Sequence, residues 1–209
     1  TFDDVLLVPQ HNSKVQSRSN VSLTVEWGSL SYSHPIIPAN MKTIVDKEMA
    51  FAIMKSGGLA ILHRFLSLEE QLLIAREAID TFDNTKFAIS LGVKTEDIDN
   101  AKKFVEAGVR IFCIDVAHGD SAQCVDTVTA LKKFNTGTFI IAGNVATGAG
   151  ARRLWEAGAN VVKVGVGPGS LCTTRIETGN GVPQLTALMD VAETQRQLTE
   201  LYKTKDAVV

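Results

Sequence analysis

Two stretches of the chain read alike: Glu106-Ala107-Gly108-Val109 runs into Arg110-Ile111-Phe112-Cys113-Ile114-Asp115, and Glu156-Ala157-Gly158-Ala159 runs into Asn160-Val161-Val162-Lys163-Val164-Gly165. In each, a helical pattern ends in Ala-Gly and gives way to a nearly unbroken apolar run. Glycine accepts the left-handed conformation in which helices commonly stop. A short continuous apolar run fits a strand buried on both faces. The device marks a helix-to-strand junction, and its recurrence marks a repeated βα unit. Lys55-Ser56-Gly57-Gly58 repeats it more loosely.

Outward from these junctions, the same reading predicts strands over 35–38, 58–62, 86–91, 110–115, 139–142 and 160–165. Helices are predicted over 46–55, 67–81, 95–107, 121–133, 148–157 and 185–201, with polar or acidic residues near their starts that suit a cap or the helix dipole. Regular alternation means an α/β fold with a parallel sheet, wound on both faces or closed into a (β/α)8 barrel. Asn40-Met41, His63-Arg64, Gly92, Asp115-Val116-Ala117-His118-Gly119 and Gly143-Asn144-Val145 each follow or close a candidate strand. So does the loop Gly165-Val166-Gly167-Pro168-Gly169-Ser170-Leu171-Cys172-Thr173-Thr174-Arg175. In a barrel all these strand ends share the rim that carries chemistry, which favours the barrel. Residues 203–209 read as the entry to a seventh strand, so the expectation is one catalytic barrel domain over 1–209, truncated after about six βα units where a closed barrel needs eight strands.

Composition narrows the function. With 45% hydrophobic residues, 21% charged and a net charge of −2, the chain reads as an ordinary globular protein with no basic surplus for nucleic acid. No apolar run approaches a membrane span, and Thr1-Phe2-Asp3-Asp4 lacks the layout of a secretory signal. Three cysteines, Cys113, Cys124 and Cys172, without CxxC or Cys/His spacing argue against a disulfide framework and a zinc site, and fit a reducing cytoplasm. Cys113, within an apolar run, and Cys124, on a helix, read as small buried hydrophobes. Cys172 differs: a lone thiol beside hydroxyls on a glycine-rich strand-to-loop turn is built like a covalent-catalysis site. His63 and His118 read as rim hydrogen-bonding residues, His11 and His34 as loop residues, and Lys132-Lys133 and Arg152-Arg153 as solvent faces of helices.

The residues also carry a specific resemblance. Thr1-Phe2-Asp3-Asp4-Val5-Leu6-Leu7-Val8-Pro9, Asp115-Val116-Ala117-His118-Gly119, Ala142-Gly143-Asn144-Val145-Ala146-Thr147 and Gly167-Pro168-Gly169-Ser170-Leu171-Cys172-Thr173-Thr174-Arg175 resemble, in order, the catalytic barrel shared by IMP dehydrogenase and GMP reductase. IMP dehydrogenases usually insert a regulatory domain of roughly a hundred residues, the size of a small domain, after the second strand. Here the path from His63 to Lys86 has room for one helix, so no regulatory insertion is expected. Ser17-Arg18, Pro38-Ala39-Asn40-Met41, Leu62-His63-Arg64-Phe65 and Ile89-Ser90-Leu91-Gly92-Val93-Lys94 look more like the GMP reductase branch, although the Arg64 position is often lysine there.

The resemblance implies NADPH-dependent reductive deamination of GMP to IMP and ammonia through a covalent cysteine thioimidate. The alternative is an IMP dehydrogenase without its insertion, oxidising IMP to XMP with NAD. Cys172 would be the nucleophile and Thr174 the proton-handling group, with its glutamate relay partner falling beyond this chain. Gly169 and Ser170 would hold the nucleotide phosphate, only part of whose cradle is expected here. Asp115, Val116, Ala117, Val166 and Gly167 would border the cofactor together with Arg64, while Ser17 and Arg18 would meet its adenosine end, from a neighbouring subunit of a homotetramer. Potassium would sit on carbonyls of Gly167, Gly169 and Cys172 at the Arg175 end of the loop. Neither nucleic acid nor membrane is an expected partner.

Overall fold

The structure is a computed structural model describing residues 4–11, 15–134 and 137–202. The expected strand entry over 203–209 and the first three residues of the opening stretch lie outside the described residues. After the single turn at Arg18–Asn20 comes a short antiparallel hairpin, β1 (Val25–Trp27) and β2 (Leu30–Tyr32), followed by α1 (Lys47–Lys55). Five strands then alternate with helices: β3 (Ala60–Leu62), α2 (Leu68–Thr81), β4 (Phe87–Leu91), α3 (Thr95–Glu106), β5 (Ile111–Asp115), α4 (Ala122–Phe134), β6 (Phe139–Val145), α5 (Gly148–Ala157) and β7 (Val161–Val164). A one-turn helix, α6 (Thr174–Thr178), and the long α7 (Gln184–Tyr202) complete it.

The junctions form as their chemistry dictates. Gly158 closes α5 at φ 110° and Gly108 follows α3 at φ 97°, a region where a Cβ would be strained. Ser67 caps α2 by accepting from the Glu70 amide, while the Glu70 carboxylate accepts from the Ser67 amide, a reciprocal capping box. Thr147 caps α5 through the Gly150 amide, and Asp190 of α7 accepts from the Gly148 amide at 2.7 Å, tying α7 to the start of α5.

β3 to β7 pair in parallel and in sequence order, without the reversal of strand order that marks a doubly wound sheet. Side chains alternate across the sheet. Leu62, Phe87, Ile89, Phe112, Ile114, Ile140, Ala142 and Val162 turn to one face, where they pack with Met54, Ala75, Phe104, Val128, Leu154 and Val191 from six helices. Ile61, Ala88, Ile111, Cys113, Ile141 and Val161 turn to the other, where they meet Leu30 and Tyr32 of the hairpin. Helices on one face of consecutive parallel strands make this an α/β fold of repeated βα units.

The hairpin covers the N-terminal strand ends. Trp27 stacks on Phe139 with centroids 6.4 Å apart, and the Tyr32 hydroxyl donates to the Thr85 carbonyl just before β4. Along the inner face the register builds rungs: Ile61, Ala88, Ile111 and Phe139, then Ser90, Cys113, Ile141 and Val161, then Asp115, Gly143 and Lys163. The first two are almost wholly apolar. The last lies toward the C-terminal ends and is polar, so the face turns from core to site within one strand length.

The expected strand over 35–38 is absent; this segment holds no regular element. Pro35 and Pro38 have no amide hydrogen to give a ladder, and the hairpin supplies extended chain instead. The expected six strands become five in the parallel sheet, and six βα units become five among the described residues, because no strand of that sheet precedes α1.

Candidate active site

The C-terminal ends of the strands open onto a cleft of about 700 Å³ lined by Asn40, Met41, Asp115, Ala117, Asn144, Lys163 and the loop from Val164 to Cys172, with Thr174. Its floor is a polar network. Lys163 Nζ lies 2.7 Å from the Asp115 carboxylate and donates at 2.7 Å to the Asn40 side-chain oxygen, while the Asn40 amide donates to the Ser90 hydroxyl at 2.9 Å. Asn40 and Ser90 are buried, which their mutual bond permits.

The strand ends of β5 and β6 interlock backbone to backbone. Val116 donates to the Gly143 carbonyl, Asn144 to the Val116 carbonyl at 2.9 Å, and Gly119 to the Asn144 carbonyl at 2.7 Å. A Cβ at Gly119 would stand 2.7 Å from the Gly143 carbonyl carbon, so the close approach requires glycine. The Asn144 side-chain oxygen is buried at the cleft edge and has no protein partner among the described residues. A buried acceptor without a protein partner is one that a water or ligand can satisfy.

Above this floor stands Cys172. Its side chain is exposed and its thiol donates to the Thr174 hydroxyl at 3.2 Å. The Thr174 hydroxyl and amide, with Arg175 adding its positive charge, hold the thiol below the ordinary cysteine pKa. The other two cysteines are buried: burial pushes Cys113 up to about 12 and Cys124 up to about 11, so neither offers a thiolate. Arg175 works as a clamp. Its guanidinium donates to the Val166 carbonyl at 2.9 Å and the Val182 carbonyl at 2.6 Å, closing the base of the loop around α6.

A second cleft, of about 440 Å³, adjoins the first through Ala117, Val166 and Thr174 and continues past Asp120, Thr147 and Asn180. At its edge Asp120 and Arg153 form a two-bonded fork, each bond 2.7 Å. Sequence reasoning read Arg153 as a solvated helix face. The fork joins residues far apart in the chain, and no local signal announces it.

The expected residues are not all brought together. Asp115, Ala117, Val166, Gly167, Gly169, Ser170, Cys172 and Thr174 line the first cleft. Val116 packs against the helix-side core, so its contribution to the rim is its backbone. Arg64 lies over the Phe65 ring, 4.8 Å from its centroid, and lines a separate polar cleft between the starts of α2 and α3. Ser17 and Arg18 form an exposed single turn and line neither cleft. Among the carbonyls expected to face potassium, that of Gly169 accepts the Cys172 amide at 3.0 Å. The Arg175 side chain, a cation with no lone pair to offer, is committed to the two carbonyls it clamps. Asn40 and Asn144, which the sequence placed at strand ends without a ligand role, and Lys163, which it placed inside a strand, line the same cleft. Among the described residues no cluster of three or more His, Cys, Asp or Glu could hold a metal, and no helix is long and apolar enough to cross a membrane.

Comparison with known proteins agrees with this geometry. A family model described as the IMP dehydrogenase / GMP reductase domain matches residues 1–202. The chain is 37% identical over 190 residues to a GMP reductase of Streptococcus agalactiae, covering 90% of this chain and 57% of that protein. It is 34% identical over 200 residues to a GMP reductase of Staphylococcus carnosus, covering 94% of this chain and 60% of that one. Among solved structures, inosine 5′-monophosphate dehydrogenase from Legionella pneumophila superposes with a TM-score of 0.82 at 38% identity, over 92% of this chain and 58% of its own. The chain thus spans somewhat over half the length of these relatives. A parallel βα wall, an exposed thiol at its C-terminal rim and a family match over nearly the whole sequence lead to one conclusion: this chain belongs to the IMP dehydrogenase / GMP reductase family.

Proposed function

We propose that the chain carries the chemistry of a GMP reductase: conversion of GMP to IMP and ammonia with oxidation of NADPH. The observation that carries this reading is the exposed Cys172 thiol in contact with the Thr174 hydroxyl at the mouth of a cleft sized for a ligand. The Cys172 thiolate attacks C2 of the guanine ring, a C–S bond forms, and the C2–N bond breaks as ammonia departs. Thr174, bonded to the sulfur, is placed to pass a proton toward the leaving amine; a hydroxyl is a weak acid alone, so it works with a relay partner. Bound NADPH would supply hydride at C2; Cys172 is then the leaving group, its C–S bond breaking to return the thiolate as IMP is released. One difficult displacement becomes two easier ones.

The rim fits these tasks. The exposed Gly169 and Ser170 offer a backbone amide and a hydroxyl to the nucleotide phosphate. Asp115, Ala117, Val166 and Gly167 border the nicotinamide end, with the second cleft extending from them. Ser17, Arg18 and Arg64 act on the cofactor from outside these clefts, the first two across a subunit boundary in a homotetramer. Potassium would take carbonyls of Gly167, Gly169 and Cys172. The five strands would form part of a closed eight-stranded barrel. An exposed thiol that must stay reduced suits the cytoplasm.

Curated relatives named GMP reductase and the single α-helix between β3 and β4, with no inserted domain, favour the reductase. The 38% identity to the Legionella enzyme supports a second reading, oxidation of IMP with NAD through the same cysteine. Reduced-cofactor absorbance separates them. GMP should cause NADPH to disappear, and IMP with NAD should leave absorbance unchanged; NADH production from IMP would establish the second reading instead.

A further inference from the structure

The polar floor of the cleft depends on a missing side chain. Asp115 on β5, Gly143 on β6 and Lys163 on β7 are register partners in one rung, so the acid and the lysine stand two strands apart with glycine between them. Adjacent strands are about 4.8 Å apart, a separation that a long lysine can span twice only if nothing rises from the middle position. Lys163 spans it, ending 2.7 Å from the Asp115 carboxylate. A Cβ on Gly143 would stand 2.6 Å from Lys163 Cβ, so the space the lysine needs is the space glycine leaves. The same ammonium reaches the Asn40 side chain, whose amide is fixed on Ser90 of β4. One cation therefore joins β5, β7 and the segment leading into α1.

We propose that Lys163 is a positioning residue: acting across the gap at Gly143 and anchored on the Asn40 side-chain oxygen, it fixes the Asp115 carboxylate in the orientation that receives the ribose hydroxyls of the dinucleotide. The proposal rests on the functional reading above, which sets Asp115 at the nicotinamide end of the dinucleotide. A carboxylate accepting from vicinal hydroxyls must present its free oxygen at a set angle. The salt bridge to Lys163 leaves Asp115 one oxygen for that purpose. Two strong bonds on the ammonium leave its third hydrogen directed by the other two.

The test uses the intact protein and direct titration of NADPH and of NAD, followed by quenching of protein fluorescence, beside steady-state kinetics. Lys163→Met should weaken binding of the working dinucleotide at least fivefold and raise its KM in proportion, with GMP or IMP KM changed less than twofold. Asp115→Asn should do the same. The double variant should be no weaker than the worse single, because both remove one unit, and Lys163→Arg should recover part of the loss. Dinucleotide affinity within twofold of wild type in Lys163→Met, or multiplied losses in the double variant, overturns the proposal. If Lys163→Met does not fold, by circular dichroism, Asp115→Asn and Lys163→Arg decide by the same criteria. A wild type that binds a dinucleotide but turns over neither nucleotide defeats the functional reading alone; an active wild type with an unaffected Lys163→Met defeats the positioning role alone.

Discussion

The thiol of Cys172 and the hydroxyl of Thr174 lie 3.2 Å apart on a loop whose base Arg175 clamps through two carbonyls. The thiolate is the reactive form, and these neighbours hold its pKa below the usual thiol value. Alkylation by iodoacetamide should therefore rise with pH at a lower midpoint than for a free cysteine. Thr174→Val removes the first cause of the shift and should move that midpoint upward. Identical pH profiles for the two proteins would show that the hydroxyl does not tune the sulfur.

Native and unfolded chains should differ in how many thiols they offer. Cys113 and Cys124 are wholly buried. A neutral-pH pulse of maleimide should label Cys172 alone in the folded protein and all three cysteines in denaturant, read by intact mass. Cys172→Ala should abolish both native labelling and turnover while leaving circular dichroism and the unfolding midpoint nearly unchanged, since an exposed side chain contributes little packing.

The legible parts of the structure are those written locally. Gly108 and Gly158 announce helix ends because left-handed backbone excludes most other residues, and the apolar runs after them announce buried strands. The glycine-rich loop marks Cys172 for the same reason. What stayed hidden depends on distant partners. Asp115 meets Lys163 because two ladders share a register, Asn40 meets Ser90 across fifty positions, and Arg153 reaches Asp120 between helix and loop. The hairpin strands are too short for a period-two pattern to show, with only Val25–Trp27 and Leu30–Tyr32 to carry it. The prolines at 35 and 38 sit in an apolar run that imitates a strand without the amides for one.

Close approach at the rim makes a stability prediction. The Gly119 amide donates to the Asn144 carbonyl at 2.7 Å, and an added methyl would meet the Gly143 carbonyl carbon at the same distance, with backbone rather than a yielding side chain in the way. Gly119→Ala should destabilise by about 1–3 kcal/mol, the usual cost of overpacking. For a chain of this size, that lowers Tm by roughly 2–12 °C. An unchanged Tm in scanning calorimetry would mean that the two loops separate freely.

Acid stability should report the fork between Asp120 and Arg153. The bonds from the guanidinium, then its charge, hold the Asp120 carboxyl below the ordinary aspartate value, so the folded chain keeps this group ionised at a pH where the unfolded chain has begun to bind a proton. The stability it contributes is present above the unfolded pKa and is lost as pH falls through the depressed folded value. Asp83, Asp99 and Glu70 are shifted in the same direction by their own hydrogen bonds, so removing one group should flatten the acid limb without abolishing it. Arg153 is half exposed and the pair is screened by solvent, which makes the slope against pH a better measure than the absolute stability. Urea midpoints of wild type and Asp120→Asn, taken from about pH 6 down to about pH 2, should therefore converge as pH falls, because protonation removes from the wild type what the substitution has already removed. Curves that stay parallel through that range would show that the fork adds nothing to folding and that Arg153 is held by the helix alone.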